Sequence, residues 1–252
     1  MKKLLLIFLT ANALCVFGSP LFAADNPFGK TAAPASVNIY DWYNIGEFVD
    51  AMGYRRFNSS VYATMDDTYK ELFDLLSKAH VSDATLGGFN EWYAIVKALP
   101  WDKPDYSTWT KKDQDTWEHS PVYGRFFDSL LEDARKNIES RFAFWLGYHT
   151  LDLVWNVPYY QQDHEGVQKM IAGAAGDFLG FATDPDYKSV FSALKPEVQT
   201  AITFIASMTK KLPDPNNPLK KRQGLTPDDI AKVVDAAKVI QEAARASQLT
   251  SA

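Results

Sequence analysis

The sequence predicts an all-α protein: an irregular helical bundle around one long helix over about 121–156, with no β-sheet. Three observations carry this. Apolar residues recur at helical spacing through nearly every segment after residue 37, and nothing reads clearly as a strand. Helix-start patterns precede those segments, at Thr64-x-x-Asp67, Ser82, Ser120-Pro121 and Thr226-Pro227. The only cysteine, Cys15, lies in the N-terminal apolar run, so helix packing must stabilise the domain without disulfides.

The chain opens MKKLLLIFLTANALCVFGSPLFAADN. Two lysines, an uncharged apolar run, Pro20 and small residues predict a secretory signal peptide over residues 1–24. A cut after Gly18 is the alternative cleavage point. A retained membrane anchor needs roughly 20 apolar residues, and Asn12 and Pro20 interrupt this run. The mature chain is therefore expected in the periplasm or outside the cell, with no transmembrane segment after removal of the signal. It keeps 24 basic against 31 acidic side chains, a net of −7. That sign disfavours a nucleic-acid or anionic-membrane binder.

Residues 25–36, DNPFGKTAAPAS, read as a flexible leader. The helical bundle domain spans 37–212. Its first helix is NIYDWYNIGEFVDAM, 38–52. A second opens at Thr64 and places Tyr69, Leu72, Phe73 and Leu76 on one face. Ser82 starts a third, which Pro100 stops. After the turn-rich stretch 99–109, Thr110 starts a short helix. Pro121 sits in the first position of the long helix, where its missing N–H costs nothing. With no strong breaker before Pro158, that helix would be roughly 54 Å long, with Gly124 and Gly147 as candidate bends. A helix from about Asp163 to Phe181 carries Gly173, Gly176 and Gly180, which suggest close packing. Asp184-Pro185 and Lys195-Pro196 start two more segments. Residues 213–225 read as a polar linker and 226–252 as a C-terminal amphipathic helix and tail.

Within FAFWLGYHTLDLVWNVPYY, 142–160, an almost wholly apolar helix carries His149, Asp152 and Asn156. With Phe142 at zero and about 100° per residue, these fall near roughly 340°, 280° and 320°, with Trp145 and Arg141 beside them. Carried back along the helix, this stripe continues the apolar face of Phe127, Leu130, Leu131, Ala134 and Ile138. The stripe is thus expected to point inward. A buried carboxylate needs a partner, and Asp152 lies one helical turn from His149, within reach of its ring N–H. The stripe would then be a satisfied structural network, the wall of a ligand or catalytic pocket, or a narrow line to solvent.

As a pocket, it nominates His149 and Asp152 for acid–base chemistry. Trp145, Asn156, Tyr159, Tyr160 and Arg141 are the candidate ligand contacts. His149, Asp152 and His164 together are the weak candidates for a divalent metal. No His-Glu-x-x-His, Gly-x-Ser-x-Gly or Cys-x-x-Cys-His occurs, and no cofactor is expected. All seven tryptophans lie between Trp42 and Trp155, with Trp101, Trp109 and Trp117 at eight-residue intervals among aspartates. Such aromatics suit stacking on sugar rings if exposed, and supply core area if buried. The leading expectation is an exported helical binding or interaction protein whose partner is a small molecule, glycan or envelope protein. The alternative is an envelope-polymer hydrolase or lyase using the His149/Asp152 pair.

Overall fold

The computed structural model describes residues 37–53, 59–100, 103, 106–118, 120–212 and 224–251. The expected signal peptide and leader (1–36), linker residues 213–223, Trp101, Asp102, Asp105 and His119 lie outside the described residues. Among the described residues the fold is all-α. Its only β-type pairing there is an isolated antiparallel bridge between Leu194 and Thr250.

Helix α1 (Ile39–Gly53) buries Trp42, Ile45 and Val49. Helix α2 (Ser59–Lys78) begins upstream of the Thr64 start expected from its capping pattern. Helix α3 (Asp83–Lys97) opens on Ser82, whose hydroxyl accepts the Thr85 N–H. A 3₁₀ turn, Tyr106–Thr108, leads to α4 (Lys111–Glu118). There the Thr110 hydroxyl accepts the Asp113 N–H.

The expected long helix is two helices, α5 (Pro121–Arg135) and α6 (Ile138–Leu151). Asn137 divides them. Its backbone is extended (φ −137°, ψ 138°) and its side chain accepts the Glu139 N–H at 2.7 Å, which makes it an N-cap rather than a mid-helix residue. Ser120, in contrast, flanks α5 without making a capping hydrogen bond. After Leu151 the chain widens into a π turn, Asp152–Asn156, then resumes over Val157–Tyr159. Pro158 supplies the reason. It has no N–H for the Val154 carbonyl and its ring crowds that carbonyl, so the turn opens and the Val157 N–H bonds the Asp152 carbonyl.

Helix α7 (His164–Thr183) is capped by Asp163, whose carboxylate accepts the Gly166 N–H. A 3₁₀ turn, Pro185–Tyr187, precedes α8 (Lys188–Ala193), and α9 spans Pro196–Ser207. Helix α10 (Pro227–Arg245) starts with the capping box read from the sequence, Thr226 and Asp229 bonding each other's backbone N–H. Hydrogen bonds from Lys211 and Thr226 hold the Asp229 carboxyl down to about 2. Val233, Ala237 and Ile240 of α10 join the common core. That apolar face is packed chiefly against α9 and α6. Leu225, assigned to the linker, is buried and its N–H bonds the Gln168 side chain.

Helix α6 is the hub, packing on α1, α5, α7 and α10. Its crossing with α1 is backbone on backbone. A Cβ at Gly147 would fall 2.0 Å from the Tyr43 carbonyl oxygen, and one at Gly46 2.1 Å from that of Phe144. Gly147 is thus a close-approach glycine, not a bend. Gly176 makes no such approach: nothing lies within 4 Å of its virtual Cβ.

Candidate functional site

The inward stripe is where the wheel places it. His149, Asp152 and Asn156 are all buried. Its partnerships differ from the expectation. His149 pairs across to α7, its Nε2 lying 2.7 Å from Asp177 Oδ2. Asp177 is the only charged residue between Lys169 and Asp184, and a lone carboxylate in so apolar a helix was the available signal. The correction is geometric. Asp152 lies within one turn of His149 along the sequence, but its carboxylate is engaged by Asn156, and the packing of α7 on α6 brings Asp177 to the ring. Trp145 stacks on the imidazole at 5.5 Å, and Phe178 meets it edge-on at 5.9 Å. Nδ1 of His149 is sealed in the protein without a hydrogen bond.

Asp152 belongs to a second group. The Asn156 amide nitrogen donates to Asp152 Oδ1 at 3.1 Å and reaches Asp50 Oδ2 on α1 at 3.4 Å. Asp50 is fully buried and its Oδ1 has no partner. One turn earlier on α1, Glu47 accepts hydrogen bonds from the Tyr43 hydroxyl and from Gln241 of α10, both at 3.0 Å. Burial, reinforced by the nearby Asp152 and Glu47 carboxylates, pushes the Asp50 carboxyl well above its ordinary value, against the weaker pull of Asn156. Burial and Glu47 likewise raise the Tyr43 hydroxyl. Tyr43, Glu47 and Asp50 follow one another at helical spacing on α1, so the wheel that placed His149 would have placed them also.

The remaining nominated residues do not join this group. Arg141 donates through Nε to the Tyr187 hydroxyl and lies over that ring, 5.0 Å from its centroid. His164 is exposed in the first turn of α7. Among the described residues, no three His, Cys, Asp or Glu side chains converge to hold a metal, so the His149–Asp152–His164 set is not assembled. Tyr159 is 65 % exposed, packed edge-on against Tyr160, and Trp155 is 46 % exposed at the bulge.

Of the other tryptophans, Trp42, Trp92, Trp109 and Trp117 are buried. Trp109 meets Trp117 edge-on at 6.2 Å, and its indole N–H bonds the Lys103 carbonyl. These two rings supply core area, not an exposed platform. Aromatic surface survives elsewhere in this half of the chain. A shallow depression of ≈ 290 Å³ between α2 and α3 is floored by Tyr69, Phe73, Phe89 and Tyr93. A larger and more open one of ≈ 550 Å³ follows α9 from Pro196 to Ser207. Neither is lined by His149, Asp152 or Asn156.

No family model, curated protein or solved structure matches this chain. Its chemistry is read from its own geometry.

Proposed function

We propose that this chain is an exported helical binding protein that meets its ligand or partner through surface aromatics, while the polar stripe serves the fold. The observation that carries the reading is the depression between α2 and α3. It combines aromatic rings with exposed polar side chains in a concave patch, the usual composition of a ligand site. The stripe supports it from the other side. A general base must reach the proton it takes, and Nδ1 of His149 is enclosed while Nε2 is engaged by Asp177. Export rests on the N-terminal sequence pattern.

The rival reading is an envelope-polymer hydrolase or lyase. One observation favours it: a carboxylate on an imidazole nitrogen at 2.7 Å is how an acid–base histidine is oriented, with Asp177 in the role first given to Asp152.

Purified mature protein is to be incubated with neutral oligosaccharides, peptidoglycan fragments and envelope peptides, following melting temperature and products together. A binding protein gains stability with its ligand by mass action and leaves the ligand intact. Turnover that disappears in His149→Gln overturns the reading in favour of the enzyme. Uniformly absent shifts count against binding of these classes.

A further inference from the structure

The depression between α2 and α3 has a composition that names a ligand class. On α2 each ring that floors it is followed by a polar residue, Tyr69 by Lys70 and Phe73 by Asp74; on α3, Phe89 is followed by Asn90. A step of about 100° per residue sets each polar side chain beside its ring, so an aromatic floor acquires a polar rim. The floor is continuous: Tyr69 stacks on Tyr93 at 4.3 Å and on Phe89 at 5.8 Å, and Phe73 meets Phe89 at 6.3 Å. Phe89 and Tyr69 are buried and support the floor from beneath, and the half-buried Phe73 and Tyr93 are the rings that reach its surface, held there by packing rather than by the ligand.

We propose that this depression binds one neutral pyranose ring of a glycan, resting on the reading of the chain as a binding protein. The rim holds one cation, one anion and one amide, and a second cation, Lys97, lies over the Tyr93 ring 5.5 Å from its centroid, so the mixed charges give an ionic ligand no uniform field. Donors come from Lys70 and Asn90 and acceptors from Asp74 and Asn90. Sugar hydroxyls both donate and accept, and the axial C–H face of the ring is an apolar surface that packs on aromatic rings. Among the described residues the three rim side chains have no hydrogen-bond or ion-pair partner, so engaging hydroxyls breaks no internal bond. A volume of ≈ 290 Å³ stands at the small end of ligand sites, which run from about 300 to 1,000 Å³. It fits one ring, with neighbouring units of a polymer leaving through the open side.

The test is a ¹H–¹⁵N NMR titration of the mature protein with maltotriose, cellotriose and chitotriose in the millimolar range, repeated on Asp74→Ala, Asn90→Ala and Tyr93→Ala. Saturable shifts confined to α2 and α3, weakened about tenfold by Tyr93→Ala as its stacking contact is lost and less by either rim variant, are the expected result. The exposed rim positions keep the test valid if Tyr93→Ala unfolds. Saturable shifts centred on Trp155 and Tyr159 and indifferent to the rim variants would overturn this site and leave the binding reading standing. The same holds if the sugars do nothing while an envelope peptide binds. Failure of every ligand class removes both.

Discussion

Asp133 on α5 and Asp50 on α1 are both buried aspartates at helix junctions, and they are furnished in opposite ways. Asp133 Oδ2 receives the Ser82 N–H at 2.8 Å, the Ser82 hydroxyl at 2.9 Å and the Thr85 hydroxyl at 2.6 Å, and Lys136 reaches Oδ1 at 2.6 Å. Its charge also sits at the N-terminus of α3, where the helix dipole favours an anion. Burial alone would raise this carboxyl, but those donors outweigh it and hold it below its ordinary value. Asp50 has one long contact from Asn156, one orphaned oxygen and two carboxylates as neighbours. The same residue type is thus an anionic clamp between α3 and α5 and, where α1 meets the π turn, a carboxyl pushed toward its protonated form. Donor supply, not depth, decides which.

The largest effect expected from perturbing these junctions is steric. Gly147→Ala at the α1–α6 crossing drives a methyl into the Tyr43 carbonyl and should cost about 3 kcal/mol or more, because backbone stands on both sides. Gly88→Ala at the α3–α5 junction meets Phe126 Cα at 3.2 Å and should cost nearer about 1 kcal/mol. Urea denaturation of the pair checks the ranking; equal losses would mean that α1 and α6 are free to separate.

Next in size is the clamp. Asp133→Ala strands the Ser82 N–H and the Thr85 hydroxyl and should cost about 1–3 kcal/mol at pH 7. A carboxyl depressed in the folded state contributes stability above its unfolded value of about 3.9 and loses it as the pH falls through the folded value. The gap between wild type and variant should therefore narrow on acidification below about pH 4.

The smallest effect, with the opposite slope, belongs to Asp50→Asn. An amide is the neutral isostere of the protonated acid, so the change should lie within about 1 kcal/mol below about pH 4, where the acid is protonated in both states. A carboxyl raised in the folded state contributes stability that is complete below its unfolded value of about 3.9 and is lost as the pH climbs through the folded one. Wild type should lose stability relative to Asp50→Asn above about pH 4, in thermal melts taken across the range. Parallel profiles would refute a raised Asp50 carboxyl.

The fold class and most helix starts were legible because caps and apolar periodicity are local. So was the inward direction of His149, since a wheel needs only one helix. The break at Asn137 was also written locally, in Lys136-Asn137 followed by Glu139, a basic end, a cap and an acidic first turn. An apolar face that continued past it masked the signal. The partner of His149 was not legible from its own helix, because Asp177 is 28 residues away and only the packing of α7 on α6 selects it. The position of Asp50 was legible from the helical spacing it shares with Tyr43 and Glu47, but its role was not, because a polar residue on one helix gains meaning only when a second closes over it. The buried fate of Trp109 and Trp117 likewise required the tertiary packing that no spacing encodes.

The π turn at Asp152–Asn156 makes the end of α6 a frame-dependent splice. An α-helix advances about 100° per residue, and the extra residue in the wide turn shifts everything beyond it by that step while the backbone path continues. Upstream, the helix stays meshed with α1; within and beyond the turn, Trp155 and Tyr159 face outward and the chain is handed to α7 on its new bearing. Removing any one residue from this stretch would therefore act less like a point change than like re-indexing a gear, turning a whole outer facet of the molecule at once.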